Sequence, residues 1–167
     1  MVRILFVCHG NICRSPMAEF VMKKLVSKIP VGKKYAPADF VIASAATSTE
    51  EIGNPVYPPV RKILLKNGID CHGKFAVQMT AEDYSYYDYI VLMDLNNLRN
   101  LRWILPADIY ARETDPQVKG KISLLMDWCG ENRDVADPWS TGDFEETWKD
   151  VNKGCHAMLE KILQNLE

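Results

Sequence analysis

Seven residues, His9-Gly10-Asn11-Ile12-Cys13-Arg14-Ser15, separate an apolar run ending at Cys8 from Pro16. Their types suit phosphate chemistry. Arg14 offers a planar fork that binds two phosphate oxygens at once, which lysine cannot do. Gly10 and Asn11 are residue types that accept unusual or left-handed backbone angles, so a short loop can curl with its N–H groups inward as an anion nest. A helix opening at Pro16 adds the positive end of its dipole. Cys8 lies in the middle of that positive field, which favours the thiolate; an ordinary cysteine is only a few per cent thiolate at neutral pH. Ser15 can donate a hydrogen bond to the sulfur, first as attacking anion and later as leaving group. The implied chemistry is nucleophilic attack by Cys8 on a phosphate ester. Spacing alone is a weak signal, because chance puts a cysteine six residues before an arginine in about one chain in five of this composition. Context separates the nucleophile from the bland alternative, a buried cysteine at a strand end.

The departing oxygen needs a proton. Asp137, in Asp137-Pro138-Trp139, is a carboxyl group presented by a rigid turn beside an aromatic ring. Asp115-Pro116 is a rival pair, and the residues alone do not choose between them. Asp94, after the third apolar run, either orients Arg14 or caps the helix that follows. Cys13 either captures an oxidised Cys8 as a disulfide or fills space as a small buried thiol. Cys71, Cys129 and Cys155 read as packing residues, and His9 as a loop residue at the rim.

The elements that must position these groups form an alternating pattern. Val2 to Val7, Phe40 to Ser44 and Tyr89 to Met93 are short, dense in β-branched, aliphatic and aromatic residues, and do not alternate with polar ones. That pattern fits a parallel sheet covered on both faces. Ile122 to Met126 is a weaker fourth strand, interrupted by Ser123. Helices are expected from Ser15-Pro16 to about Lys28, with Ser15 as cap and Pro16 at the first helical position; over Pro59 to Asn67, stopped by Gly68; and over Leu95 to Ile104. The last helix is capped by Asp143, with Glu146 in capping-box position, and carries the apolar stripe Phe144, Trp148, Val151, Cys155, Leu159, Ile162 and Leu166. Lys28–Asp39 and Ile104–Gly120 read as irregular surface. Strand–helix alternation predicts a single three-layer α/β domain over residues 1–167, with ligands at the carboxyl ends of the strands.

Composition narrows the class. The chain has 167 residues, 47% hydrophobic and 25% charged, with a net charge of −2, which is ordinary for one globular domain and excludes a disordered chain. Five cysteines without a C-x-x-C do not suit a disulfide scaffold or a zinc ribbon. The N-terminal apolar run is too short for a signal-peptide core, and no stretch reaches the roughly 18 apolar residues that cross a bilayer. We therefore expect a reduced, cytoplasmic protein with no membrane partner. Near-neutral charge without a basic block gives no support for nucleic-acid binding.

Cys8, five residues, then Arg14-Ser15-Pro16, at this N-terminal position, resembles the low-molecular-weight protein tyrosine phosphatases. Ser44-Ala45-Ala46-Thr47, Met93-Asp94 and Asp137-Pro138 extend the resemblance over most of the chain. The resemblance implies a four-stranded parallel sheet flanked by helices, with the phosphate-binding loop after strand one. It also implies hydrolysis of phosphotyrosine in proteins through a cysteinyl phosphate, without metal or cofactor, by a monomer or weak dimer. It selects Asp137 as general acid and later as base, with Cys8 and Arg14 as its catalytic partners. Asn11, Ser15 and Ser44 become loop supports, and Ile12 and Trp139 pocket walls.

Three departures from the family pattern stand out. Trp139-Ser140 replaces a pair of tyrosines. Glu50, with Glu51 beside it, stands where many members carry an aromatic wall, making the pocket mouth more acidic. Lys74, not His72, aligns with a polar histidine that supports the loop. Three rival readings remain. Thioredoxin-coupled arsenate reductases share the fold but need two further cysteines after strand three, and Met79 to Ile104 contains none. Protein-arginine phosphatases resemble this loop with threonine at the position of Ile12; a branched apolar residue suits a flat phenyl ring better than a guanidinium group. A non-catalytic phosphate-binding module would lack Cys8, Arg14 or Asp137.

Overall fold

A computed structural model describes residues Met1–Gln164. Four strands, β1 (Val2–Cys8), β2 (Phe40–Ala46), β3 (Tyr89–Leu92) and β4 (Ile122–Leu124), form one parallel sheet in the order β2-β1-β3-β4. β1 is central and buried on both faces. Ile4 and Phe6 enter one core, Leu5 and Val7 the other, which is why this run shows no polar alternation. Pairing in register sets Cys8 against Ala46 at the carboxyl edge.

The helices are α1 (Arg14–Ser27), α2 (Pro58–Lys66), α3 (Ala81–Tyr86), α4 (Leu95–Asn100), α5 (Ala107–Glu113), α6 (Pro138–Thr141) and α7 (Phe144–Gln164). One core gathers Met17 and Val21 of α1, Val60 and Leu64 of α2, and Val151, Cys155 and Ile162 of α7 against one sheet face. The other gathers Tyr84 of α3, Leu98 of α4, Tyr110 of α5, and Leu101 and Leu105 from the segment between α4 and α5. The result is the expected three layers.

Several boundaries differ from the sequence reading. The fourth strand stops at Leu124, and a 3-10 turn over Leu125–Cys129 takes its place, burying Leu125 and Met126. The helix expected to reach Ile104 ends at Asn100 and continues as a 3-10 turn over Leu101–Trp103. Three short helices, α3, α5 and α6, were not foreseen. α3 is closed by a reciprocal cap, with the Asp83 N–H donating to the Thr80 hydroxyl and the Thr80 N–H to the Asp83 carboxylate. α5 lies inside the stretch expected to be irregular surface. Its last residue, Glu113, accepts from the Tyr84 hydroxyl and from the N–H groups of Lys121 and Ile122, tying the helix to the start of β4. That long-range carboxylate fixes α5; no local period announces it.

In α7 the Asp143 carboxylate accepts from the Glu146 N–H at 3.0 Å, but the Asp143 N–H goes to the Thr141 hydroxyl, so only half of the expected capping box forms. Val151, Cys155, Leu159 and Ile162 are buried as read, with Phe144 and Trp148 partly so; Leu166 lies outside the described residues.

Candidate active site

β1 delivers Cys8 to the point where the chain's connections diverge, with β2 on one flank and β3 on the other. Such switch points leave a crevice beyond the strand ends. Helix α1 then begins at Arg14, two residues before the expected Pro16, with Cys13 in the cap position and no side-chain cap. Pro16 is thus third in the helix, still among the residues whose N–H has no intrahelical partner. Ser15 is not the cap: its hydroxyl is turned inward, 3.0 Å from the Cys8 sulfur and 3.4 Å from the Ala45 carbonyl oxygen.

Asn11 holds the curl. It is the one non-glycine residue with positive φ among the described residues, at +59°. Its amide donates to the Ser15 hydroxyl at 2.8 Å and to the Ser44 hydroxyl at 2.9 Å, and its Oδ1 accepts from the Val77 N–H. Because Ser15 Oγ accepts from Asn11, its own proton is left for the sulfur or for Ala45. Ser44 likewise accepts from Asn11 and donates to buried Glu19 at 2.6 Å. Gly10, a residue type that accepts unusual or left-handed angles, does not have a positive φ. A Cβ there would lie 3.3 Å from Glu51 Cγ, a tight approach to the Glu51 side chain.

Glu19 was missed by the sequence reading. The available signal was a single carboxylate inside the apolar stretch Met17–Val21. Lys23 donates to its Oε2 at 2.6 Å, and the Lys74 ammonium stands 3.5 Å from its Oε1 while donating to the Ser44 carbonyl at 2.9 Å. Lys74 therefore reaches the loop-supporting network that its departure from the family pattern had put in doubt. Burial pushes its pKa down, against the opposing pull of Glu19.

Arg14 is 3% exposed. Its Nη1 donates to Asp94 Oδ2 at 2.6 Å and to the Val135 carbonyl at 2.9 Å, and its Nη2 lies 3.8 Å from Asp137 Oδ2. Burial disfavours the charge, yet Cys8, Asp94 and Asp137 around it hold the guanidinium pKa above its ordinary value. Asp94 makes both contacts, since its second oxygen accepts from the Asn97 N–H at the start of α4. The Val135 carbonyl, a backbone group, carried no sequence signal.

Cys8, Ile12, Cys13, Arg14, Asp137 and Trp139 line one cavity of about 210 Å³, with His9, Gly10, Glu50 and Glu51 at its mouth. Asp115 is not among the residues around it. Asp137 caps α6, accepting from the Trp139 N–H, and its side chain is 40% exposed. Trp139 is largely exposed but leans on Tyr57, with ring centroids 4.9 Å apart, and Tyr57 in turn packs on Phe144. Tyr57 is a second residue the sequence did not reveal. His9 Nε2 meets Glu50 Oε2 at 3.0 Å across the mouth. Burial, reinforced by the nearby charges of Cys8 and Asp137, pushes the Cys13 thiol up to about 12. Cys71 and Cys155 are buried, and Cys129 is half-buried with its thiol donating to the Met126 carbonyl.

A parallel sheet whose first loop curls around a cysteine and a buried arginine, facing an aspartate across a small cavity, defines a class: α/β proteins with a cysteine-bearing anion loop. Within that class the chain belongs to the low molecular weight phosphotyrosine protein phosphatase family, whose profile matches residues 3–167. The low molecular weight protein-tyrosine-phosphatase YfkJ of Bacillus subtilis is 35% identical over 97% of this chain and 96% of its own length. Its crystal structure superimposes with a TM-score of 0.84, covering 100% of this chain and 98% of that one. The Gallus gallus low molecular weight phosphotyrosine protein phosphatase is 39% identical over 95% of this chain and 94% of its own. A Drosophila arginine phosphatase shares the fold at a TM-score of 0.77 and 27% identity, covering 95% of this chain and 96% of that one.

Proposed function

We propose that residues 1–167 form one phosphatase domain that hydrolyses phosphotyrosine in proteins through a cysteinyl phosphate. The Cys8 thiolate attacks phosphorus, the bond to the phenolic oxygen breaks, and Asp137 gives that oxygen its proton. Arg14 grips two of the phosphoryl oxygens, and the Ser15 hydroxyl stabilises the sulfur before and after the transfer. Asp137 then takes a proton from water, which attacks phosphorus and breaks the S–P bond, releasing phosphate and restoring the thiolate. Each step uses the chain's own groups, and the reading calls for no metal or cofactor.

The observation that carries this reading is the convergence of Cys8, Arg14 and Asp137 on one cavity, with Ile12 and Trp139 beside them. An apolar branched side chain and an indole suit a flat phenyl ring. Burial keeps Cys13 a protonated thiol at neutral pH, which makes it a poor nucleophile toward phosphorus. When peroxide oxidises Cys8 to a sulfenic acid, the Cys13 sulfur displaces hydroxide from it, forming a reversible disulfide and water. The natural partner is a tyrosine-phosphorylated protein in the cytoplasm, met by a monomer or weak dimer. Among the described residues, no helix is long and apolar enough to cross a membrane.

Cys8→Ser is expected to abolish turnover of p-nitrophenyl phosphate, and Asp137→Asn to slow it by about 10²–10⁴-fold while phosphate still binds. Full turnover by Cys8→Ser sinks the assignment. Peptides bearing phosphotyrosine should be cleaved far faster than the same peptides bearing phosphoarginine; the reverse order would assign an arginine phosphatase.

A further inference from the structure

Asp137 itself is lightly held. Among the described residues its carboxylate receives one hydrogen bond, from the Trp139 N–H two residues on, and stands 3.8 Å from Arg14. Its position is therefore dictated by the backbone leading into it. That backbone is gripped at Arg133, whose two terminal nitrogens each lie 2.8 Å from one oxygen of Asp150 on α7. The Asp150 side chain is only 7% exposed, and this bidentate contact is the strongest it makes. Three residues on from Arg133, the Ala136 carbonyl accepts from the Thr147 hydroxyl, one turn before Asp150 on the same helix. Between these two anchors, Val135 donates its N–H to the Met93 carbonyl at 2.8 Å and offers its own carbonyl to Arg14. The Asp134 carboxylate accepts from the Leu95 N–H. Glu131, joined to Lys153 at 3.0 Å, is the secondary partner of Arg133 at 3.5 Å.

We propose that the Arg133–Asp150 pair is a positioning device for the proton-transfer step. It clamps segment 133–136 between α7 and the end of β3, so that Asp137 points at the leaving oxygen, while Arg14 keeps its own anchor on Asp94. Neither side chain lines the cavity. The pair acts through Asp137 and rests on the proton-donor role assigned to that residue above. Misplacing a reacting group by about 1 Å costs as much as 10²-fold in rate. The loss should fall where a proton is needed and spare steps that need none.

The test compares kcat/KM, which reports events up to departure of the first leaving group, on phenyl phosphate and on 2,4-dinitrophenyl phosphate. Phenolate leaves poorly without a proton, whereas dinitrophenolate leaves unaided. Arg133→Gln and Asp150→Asn are each expected to lower kcat/KM on phenyl phosphate by about tenfold or more, and on the dinitrophenyl ester by no more than about twofold. The inhibition constant of inorganic phosphate should stay within about twofold of the parent value, because the loop is untouched. The Arg133→Gln/Asp150→Asn double variant should lose no more than either single one, as one device removed twice. If a single variant fails to fold, the double variant, which leaves no unpaired buried charge, carries the same comparison. Equal losses on both esters, or no loss on either, would overturn the positioning role and mark the pair as structural. Failure of the parent protein on both esters would instead overturn the phosphatase reading itself.

Discussion

At the scale of single residues, Asn11 joins the loop to three partners at once. One side chain satisfies three partners, Ser15, Ser44 and the Val77 N–H, from a backbone position at φ +59° that few residues adopt. Asn11→Ala should destabilise the protein by about 2–4 kcal/mol, through an orphaned amide and a left-handed alanine. Asn11→Gly should recover about 1 kcal/mol of that by relieving the backbone, while leaving activity as low as in the alanine variant. Urea midpoints paired with kcat separate the two contributions. Recovery of kcat by glycine would show that backbone curvature matters and the Ser15 contact does not. Asn11 is legible from the sequence as a residue that accepts left-handed backbone, and Ser15 and Ser44 came only with the family resemblance, while the Val77 N–H was not foreseen. Ser44 and Val77 lie 33 and 66 residues away, and nothing in the spacing says which strand end will meet the loop.

At the scale of elements, α7 does more than cover the sheet. Its stripe of Val151, Cys155, Leu159 and Ile162 was readable because a 3.6-residue period survives in any helix that buries one face. Gly154 beside that stripe carries a different message. A Cβ at this position would sit 2.5 Å from Leu125 Cγ, in the 3-10 turn that replaces the end of β4. Alanine improves helix propensity by about 1 kcal/mol, but overpacking a closed contact costs about 1–3 kcal/mol. Gly154→Ala is thus expected to lower stability, with the thermal midpoint falling, and Leu125→Ala in the same chain should suffer less than the two losses added together. A stabilised Gly154→Ala protein would mean that α7 is free to move away from the turn. Short elements such as α3 and α5 escape sequence periods because six or seven residues complete fewer than two turns, so tertiary ties decide them.

At the scale of the whole molecule, burial keeps thiols protonated. Cys13 rises from 9.0 to about 12, and fully buried Cys155 shifts in the same direction, each chiefly through desolvation. The unfolded chain releases these protons near pH 9 while the folded chain keeps them. Their contribution to stability is therefore complete below about pH 9 and is lost as the pH rises toward 12. Each such thiol contributes a slope of at most about 1.4 kcal/mol per pH unit in that window. Urea midpoints should hold steady from pH 7 to 8.5 and fall beyond 9, and Cys155→Ala should flatten the fall. An unchanged slope in that variant would exclude Cys155 as a cause. The net charge of −2 hides the distribution that matters: Arg14 is buried at the cavity, while the carboxylates Glu50 and Glu51 stand at its mouth.

The chemistry and the sheet were written locally. Cys8 to Pro16 is one contiguous stretch, so its residue types can be read together with the strand before it and the helix after it, and two-sided burial leaves its mark as apolar runs at β1, broken only by Arg3, and at β3. Asp137 needed the family resemblance to be chosen over Asp115. Tertiary structure alone decided what holds these groups in place. Arg14 meets Asp94 across 80 residues and the Val135 carbonyl across 121, Lys74 reaches Glu19 of α1 from beyond α2, and Tyr57 backs the Trp139 ring. Hydrogen bonds of that range follow from strand order and helix docking, and a local sequence period cannot encode which distant backbone group a buried side chain will find.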